Sequence, residues 1–344
     1  AQNRDVQNSI REKYREISGK PTVPLAEARS RPLQSDWGVI DIPHPPFLGP
    51  RLGKGAPLDE IAKLIDWTFF FTSWDIPRRY PGVLKDEKYG SAASELFSDA
   101  RELLEDIISN QMLTANAAYG FWPANSEGDD IIIYDQSGEG ELARLNMLRQ
   151  QQDRGSSSYA CLADFVAPRE SGRVDHVGMF AVTAGLGAEQ LNSRFVDSGD
   201  DYGAIMSGLL ADRLAEATAE WLHQKVRVDW GFPEPSDMDL GDIFAGKFRS
   251  IRPAYGYPAC PDHSELRKVF DLTGAVEAGM GLTESNAILP AAGVSGLYFA
   301  HPESHYFSVG RVDKEQVQDY GSRKGVSAEE AEDLLFGNLG YFNE

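Results

Sequence analysis

The 344-residue sequence predicts an α+β fold, an antiparallel sheet with helices packed around it. Three observations carry this. Short runs rich in β-branched and aromatic residues stand at 131–134 (IIIY), 177–183 (VGMFAVT), 296–300 (GLYFA) and 306–312 (YFSVGRV), a composition suited to strands. Two long segments, 91–110 and 202–227, repeat apolar residues at the helical period. Strands and helices do not alternate in βαβ order, and there is no GxGxxG turn, P-loop or internal repeat. No strong linker divides residues 21–344, so a single large domain is expected there.

In chain order, AQNRDVQNSIREKYREI begins at Ala and has the charge pattern of a helix. Residues 1–20 are expected to lead in from a preceding domain of a longer polypeptide. The prolines of GKPTVP and IDIPHPPFLGP (40–50) predict extended coil lying across a surface. Two helical patterns flank the aromatic run IDWTFFFTSWD (65–75); in the second, 91–110, Leu96, Ala100, Leu103, Leu104 and Ile107 share one side. The helix at 202–227 carries Met206, Leu210, Leu214, Ala217 and Trp221 on its apolar stripe. HPESH separates 296–300 from 306–312, which predicts an antiparallel hairpin. Helices are expected at 314–323 and 327–335, where Ser327 and Glu330 form a capping box.

Composition narrows the function classes. A formal net charge of −20 argues against nucleic acid and anionic membrane surfaces. No apolar run approaches the ~20 residues of a membrane helix. Two cysteines a hundred residues apart, Cys161 and Cys260, make no disulfide framework and suit a reducing cytoplasm. Among the six histidines there is no HExxH pair, and CPDH (260–263) lacks the second ligand pair that structural zinc needs, so no metal site is predicted. No nucleophile elbow marks a hydrolase, and no catalytic residue is predicted.

The stretch that asks for an explanation is IRPAYGYPACPDHSE (251–265). Prolines 253, 258 and 261 forbid a helix or a central strand, so this is a stiffened, ordered loop. Pro253 pushes Arg252 towards extended backbone, where its guanidinium can clamp a carboxylate through two parallel bonds. Gly256 allows an unusual φ or close backbone approach, and Tyr255 and Tyr257 supply faces for a planar ring or a cation. The plainer alternative is an arginine paired with a carboxylate elsewhere in the chain. In the aromatic run, Asp66 is expected either to have a cationic partner or to cap a helix. Asp212, Glu216 and Glu220 share a helix face, a binding edge or plain solvated surface. Tyr306 and Phe307 open a segment directly after a turn.

Taken in order, the motifs IDWTFFFTSW, GFWPANSEGDDIIIY, LRQQ, CLADFVAP, DDYGAIM, ADRLAEATAEWLHQKVR, IRPAYGYPACPDHSE, LTESNAILPAAGVSGLYFAHPESHYFSVG and LGY resemble the C-terminal activation domain of cobalamin-dependent methionine synthase. The resemblance runs from about residue 20 to 341. It implies a C-shaped α+β domain that binds S-adenosylmethionine and helps return oxidised cobalamin to its methylated form, with one electron from flavodoxin or a flavodoxin-like reductase. It also implies ligand contacts at Asp66, Glu216, Arg252, Ala259, Tyr306 and Phe307, with Gly256 and Tyr257 supporting the loop. Cobalamin would be held by the neighbouring domain of the same polypeptide, and zinc would lie in a homocysteine domain outside this chain. Some relatives carry Tyr at the position of Phe307, and Glu at that of Gly246. Two other readings are a stand-alone S-adenosylmethionine methyltransferase and a docking module without ligand chemistry. The first calls for a general base and usually a Gly-rich βα turn; the second could dispense with Arg252 and Asp66. The acidity of flavodoxins makes a local basic patch, at Arg169, Arg173 or Arg311, or else a contribution from the cobalamin domain, a further expectation.

Overall fold

In the computed structural model, the described residues are 21–341 apart from 154, 156 and 236. The expected lead-in over 1–20 therefore lies outside them. The sheet is built on a strand that the periodicity of the sequence does not reveal. Strands β1 (Gly49–Ala56), β2 (Thr114–Glu127), β3 (Asp130–Tyr134), β4 (Glu141–Asn146) and β5 (Asp175–Leu186) are joined by the small pair β6 (Gly281–Leu282) and β7 (Ile288–Leu289), and by β8 (Gly293–Phe299). The main sheet runs β4-β3-β2-β5-β8, antiparallel throughout, with β1 added beside β2. β2 is the axis. One edge pairs β5 along its length, and the other is shared by β1 up to Phe121 and β3 from Ala124. Pro123 sits in the gap between those two ladders, where its missing N–H leaves no partner unsatisfied. Gly120 is required there, because a Cβ would meet the carbonyl oxygen of Gly49 at 2.4 Å.

Both faces of the sheet are covered, and period-two alternation decides which side chain goes where. On β5, Phe180 and Val182 face one way, together with Tyr298 of β8 and Phe121 of β2. Val177 and Met179 face the other, with Leu297 and Phe299. Among the described residues the chain then supplies eight α-helices of six residues or more. α1 is Leu25–Ser30, α2 Trp67–Ser73, α3 Gly90–Ser109 and α4 Ala188–Ser198. α5 is Asp201–Asp229, α6 Leu266–Thr273, α7 Lys314–Lys324 and α8 Ala328–Leu334. The C-terminal half of α5 lays Leu222 and Val226 against the Phe121–Phe180–Tyr298 face. Its N-terminal half packs Met206, Leu210 and Leu214 against Phe70, Phe71, Leu104 and Ile107 of α2 and α3. α6 and the loop over 251–260 cover the opposite sheet face.

The expected helices at 91–110, 202–227 and 314–323 are α3, α5 and α7, within two residues at either end. Ser327 caps α8 by accepting from the Glu330 amide. The aromatic run is itself helix α2 rather than a segment between helices. The proline-rich stretch is coil over 40–48 before it enters β1. Its Phe47 ring lies on Phe121 at 5.0 Å, and Trp230 donates to the Pro43 carbonyl.

The expected hairpin between 296–300 and 306–312 does not form. β8 pairs with β5 on one side, and its other edge is occupied by the proline loop. Ile251 bridges to Phe299, Ala254 bridges to Gly296, and Leu297 donates to the Pro253 carbonyl at 3.0 Å. Residues 304–310 are coil, and Val312 bridges instead to Leu339. The prolines explain the exchange. A segment with few donors suits an edge position, and it seals β8 against further pairing.

Candidate functional site

The loop over 251–260 is rigid for reasons visible in its bonding. Gly256 donates to Cys260 O at 2.8 Å, Cys260 donates back to Tyr257 O at 3.0 Å, and Val309 donates to Pro258 O at 2.8 Å. The Cys260 thiol donates to Ala254 O at 3.1 Å. Gly256 has φ +88°, and a Cβ there would fall 2.0 Å from His263 Nε2. Cys260 and His263 thus brace the loop from different sides. Among the described residues, no group of three or more His, Cys, Asp or Glu side chains is placed to hold a metal.

Arg252 leaves this loop towards α5. Its Nη1 lies 2.6 Å from Glu220 Oε2 and 3.3 Å from His223 Nδ1, and its backbone N–H donates to the Tyr306 hydroxyl at 3.0 Å. Glu220 is buried and also faces Arg227 Nη2 at 3.4 Å. Arg227 in turn pairs with Glu234 and stacks its guanidinium on Phe248 at 3.7 Å. The acidic face of α5 is therefore only partly solvated. Asp212 is exposed, Glu216 half-buried and Glu220 inside the protein. Arg252 is indeed paired with an internal carboxylate, and the pair stands at an open edge, with the Arg252 side chain 22% exposed.

The other expected site residues surround this pair unevenly. Glu216 sits one helical turn before Glu220, and its negative charge, followed by burial, pushes the Tyr257 hydroxyl pKa up. Tyr257 and Tyr306 are both 57% exposed. Arg213 of α5 reaches between the two helices, with its guanidinium 6.0 Å from the exposed ring of Phe69 on α2. Its Nε is buried without a partner. Asp66 caps α2, accepting from the Thr68 amide at 2.9 Å, and among the described residues no cation pairs with it. The expected cationic partner is thus replaced by a helix N-terminus, whose free amides and dipole stabilise the carboxylate instead. Ala259, within the loop itself, is buried. Phe307 is half-buried and packs against Phe165, ring centroids 6.4 Å apart.

Sequence reasoning missed His223 and Ser250, and did not separate Glu220 from its exposed neighbours. A signal was present for Glu220. Glu220, His223 and Arg227 fall at i, i+3 and i+7 on one helix face, interspersed in sequence with the apolar Leu222 and Val226, a pattern that buries charges only as mutual partners. The three arginines considered for a basic patch are each engaged. Arg169 faces Glu127 at 3.6 Å, Arg173 donates to the Trp37 and Ile40 carbonyls, and Arg311 donates to those of Gly337 and Leu339.

An arginine held in an open edge by a buried carboxylate, beside a half-buried glutamate and exposed tyrosines, is suited to a zwitterionic ligand carrying a planar ring. Comparison with known proteins bears on that arrangement. The chain is similar to a crystal structure of the MetH reactivation domain bound to AdoHcy, with a TM-score of 0.90 and 42% identity, covering 94% of this chain and 100% of that one. The family model for the activation domain of vitamin B12 dependent methionine synthase matches residues 57–325, which include every strand of the sheet except β1, together with α5 and the whole proline loop. The chain therefore belongs to the family of vitamin B12 dependent methionine synthase activation domains.

Proposed function

We propose that this chain binds S-adenosylmethionine along the edge formed by α2, α5 and the loop over 251–260, and presents its methyl group to cobalamin held by a separate domain of the same polypeptide. The observation that carries the reading is the Arg252–Glu220 pair at the mouth of that edge, in a chain 42% identical to a domain bound to AdoHcy. The amino-acid carboxylate is assigned to Arg252 through charge-assisted bonds. The ammonium and carboxylate of an α-amino acid share one carbon, so their protein partners must be close together. Glu216 lies four residues, about 6 Å along the axis, from the carboxylate that holds Arg252, and is assigned the ammonium. Asp66, on the neighbouring helix, is left for the ribose hydroxyls. Tyr257 and Tyr306 offer faces to the adenine or the sulfonium cation, and Ala259 a main chain that no large side chain obstructs. Phe307 supports the loop from behind.

Methyl transfer from the sulfonium, balanced by one electron from a flavodoxin-like donor, would return oxidised cobalamin to its methylated state. The sulfonium is already an activated donor, so this chain's part is to bind and orient, and no general base is assigned. The isolated chain is expected to bind the methyl donor without turnover. Residues 1–20 are assigned to the connection with the preceding domain, residues 21–344 to the activation domain, and the cytoplasm is the compartment in which such a partner set would meet. Among the described residues, no helix is long and apolar enough to cross a membrane.

Titration calorimetry of S-adenosylmethionine into the parent chain and Arg252→Ala tests the reading. Losing the bidentate contact should cost on the order of 2–5 kcal/mol, enough to abolish visible binding of a modest ligand. Equal binding by both proteins would remove Arg252 from the site. No binding by the parent would overturn the reading.

A further inference from the structure

Arg252 is held by more than its carboxylate. His223, fully buried on α5, places Nδ1 3.3 Å from Arg252 Nη1 and Nε2 3.0 Å from the Ser250 hydroxyl. A guanidinium has donors only, so Nδ1 must be the bare nitrogen and accept. The ring proton then sits on Nε2 and is donated to Ser250. The ring has no freedom to turn. It stacks on Tyr298 at 4.9 Å and 19°, and meets Phe248 edge-on at 5.5 Å. Ser250 adopts φ +91°, a region non-glycine residues seldom occupy, in the position that meets Nε2. Burial, then the charges of Arg227 and Arg252, keep the imidazole pKa well below its ordinary value, so the ring is neutral at physiological pH.

The consequence concerns which edge of Arg252 is left for a ligand. Nη1 is taken up twice, by the ion pair with Glu220 Oε2 at 2.6 Å and by the hydrogen bond to His223 Nδ1. Nε and Nη2 have no partner among the described residues. Those two atoms form the side edge of the guanidinium, which matches a carboxylate with two parallel bonds. We infer that His223 is a positioning residue for ligand recognition: with Glu220 it occupies Nη1, and so fixes the Nε–Nη2 edge of Arg252 as the carboxylate receptor.

This rests on the ligand reading above, and the test separates the two. S-adenosylhomocysteine and methylthioadenosine, which lacks the amino-acid part, are titrated into the parent, His223→Phe and His223→Asn. Phe keeps the stack on Tyr298 without an acceptor, whereas the Asn side-chain oxygen replaces Nδ1. The expected result is that His223→Phe weakens S-adenosylhomocysteine by at least about tenfold while methylthioadenosine changes by less than about threefold. His223→Asn should stay within about threefold of the parent for both. Retained S-adenosylhomocysteine affinity in His223→Phe, equal loss for both ligands, or equal losses in the Phe and Asn variants would each overturn the positioning role. Failure of the parent to bind S-adenosylhomocysteine would sink the ligand reading itself, and the inference with it. Nitrogen NMR of His223 in the parent provides a readout independent of variant folding: a bare Nδ1 and protonated Nε2 are required, and a proton on Nδ1 refutes the assignment.

Discussion

Glu216 and Glu220 are one turn apart on the same helix, yet neutralising them should have opposite consequences. Glu220 Oε2 stands 2.6 Å from Arg252 Nη1, and its other oxygen 3.4 Å from Arg227 Nη2. At an effective dielectric of about 20, the closer contact alone is worth about 6 kcal/mol of attraction, much of it offset by desolvation of the two groups. Removing one member of a buried pair is nonetheless costly, by about 3–5 kcal/mol, because the other is left without compensation. Arg227 keeps Glu234, and the Arg252 side chain is 22% exposed, so some charge can be rehydrated. Glu220→Gln should therefore fall at the low end, a loss of about 3 kcal/mol of unfolding free energy. Glu216 has no ion-pair partner among the described residues, and Glu216→Gln should change stability by less than about 0.5 kcal/mol while weakening ligand binding. Urea denaturation of both variants, followed by tryptophan fluorescence, makes the comparison. In the double variant Glu220→Gln with Arg252→Met, the stability loss should be smaller than the sum of the single losses, since the stranded charge is gone. A Glu220→Gln midpoint indistinguishable from that of the parent would refute the argument that a buried carboxylate organises this edge.

Other perturbations follow from the same geometry. Gly256→Ala places a Cβ at φ +88° and 2.0 Å from His263 Nε2, and should cost about 1–2 kcal/mol in thermal melts. Adding His263→Ala should recover the steric share and leave the backbone share, so full recovery would show that the left-handed φ is not needed. His176 is buried on β5, and burial, then the charge of His44, lowers its pKa to about 4. The unfolded chain takes up this proton as pH falls below about 6.5 while the folded one does not, so stability is present above that value and is lost towards about 4. Between neutral pH and about pH 4.5 the parent should lose about 2 kcal/mol more stability than His176→Phe. Parallel pH–stability curves for the two proteins would remove His176 from the account.

The parts of this protein legible in its sequence are those whose physics is local. α3 and α5 follow from apolar residues recurring at the helical period, and the Ser327 cap of α8 needs only residues within one turn. The rigidity of the loop over 251–260 follows from its prolines, and the ordered motifs along the chain marked the family whose model matches residues 57–325. Tertiary structure decided the remainder. β2 contains Ala, Asn, Gly and Pro123 where a central strand favours β-branched residues, and it is a strand because β5, β1 and β3 pair with both its edges. The segment over 306–312 has strand composition, yet the β8 edge it would take is filled by residues 251–254, through hydrogen bonds no short window can anticipate. The same holds for the acidic face of α5. Asp212, Glu216 and Glu220 have like side chains at regular spacing, and what distinguishes them is the arginine brought from another segment of the chain. Local sequence decides that α5 is a helix and which residues share its faces. Whether a carboxylate on one face meets water, a ligand or Arg252 depends on what the rest of the chain places against it, because desolvation and charge pairing are set by the three-dimensional surroundings.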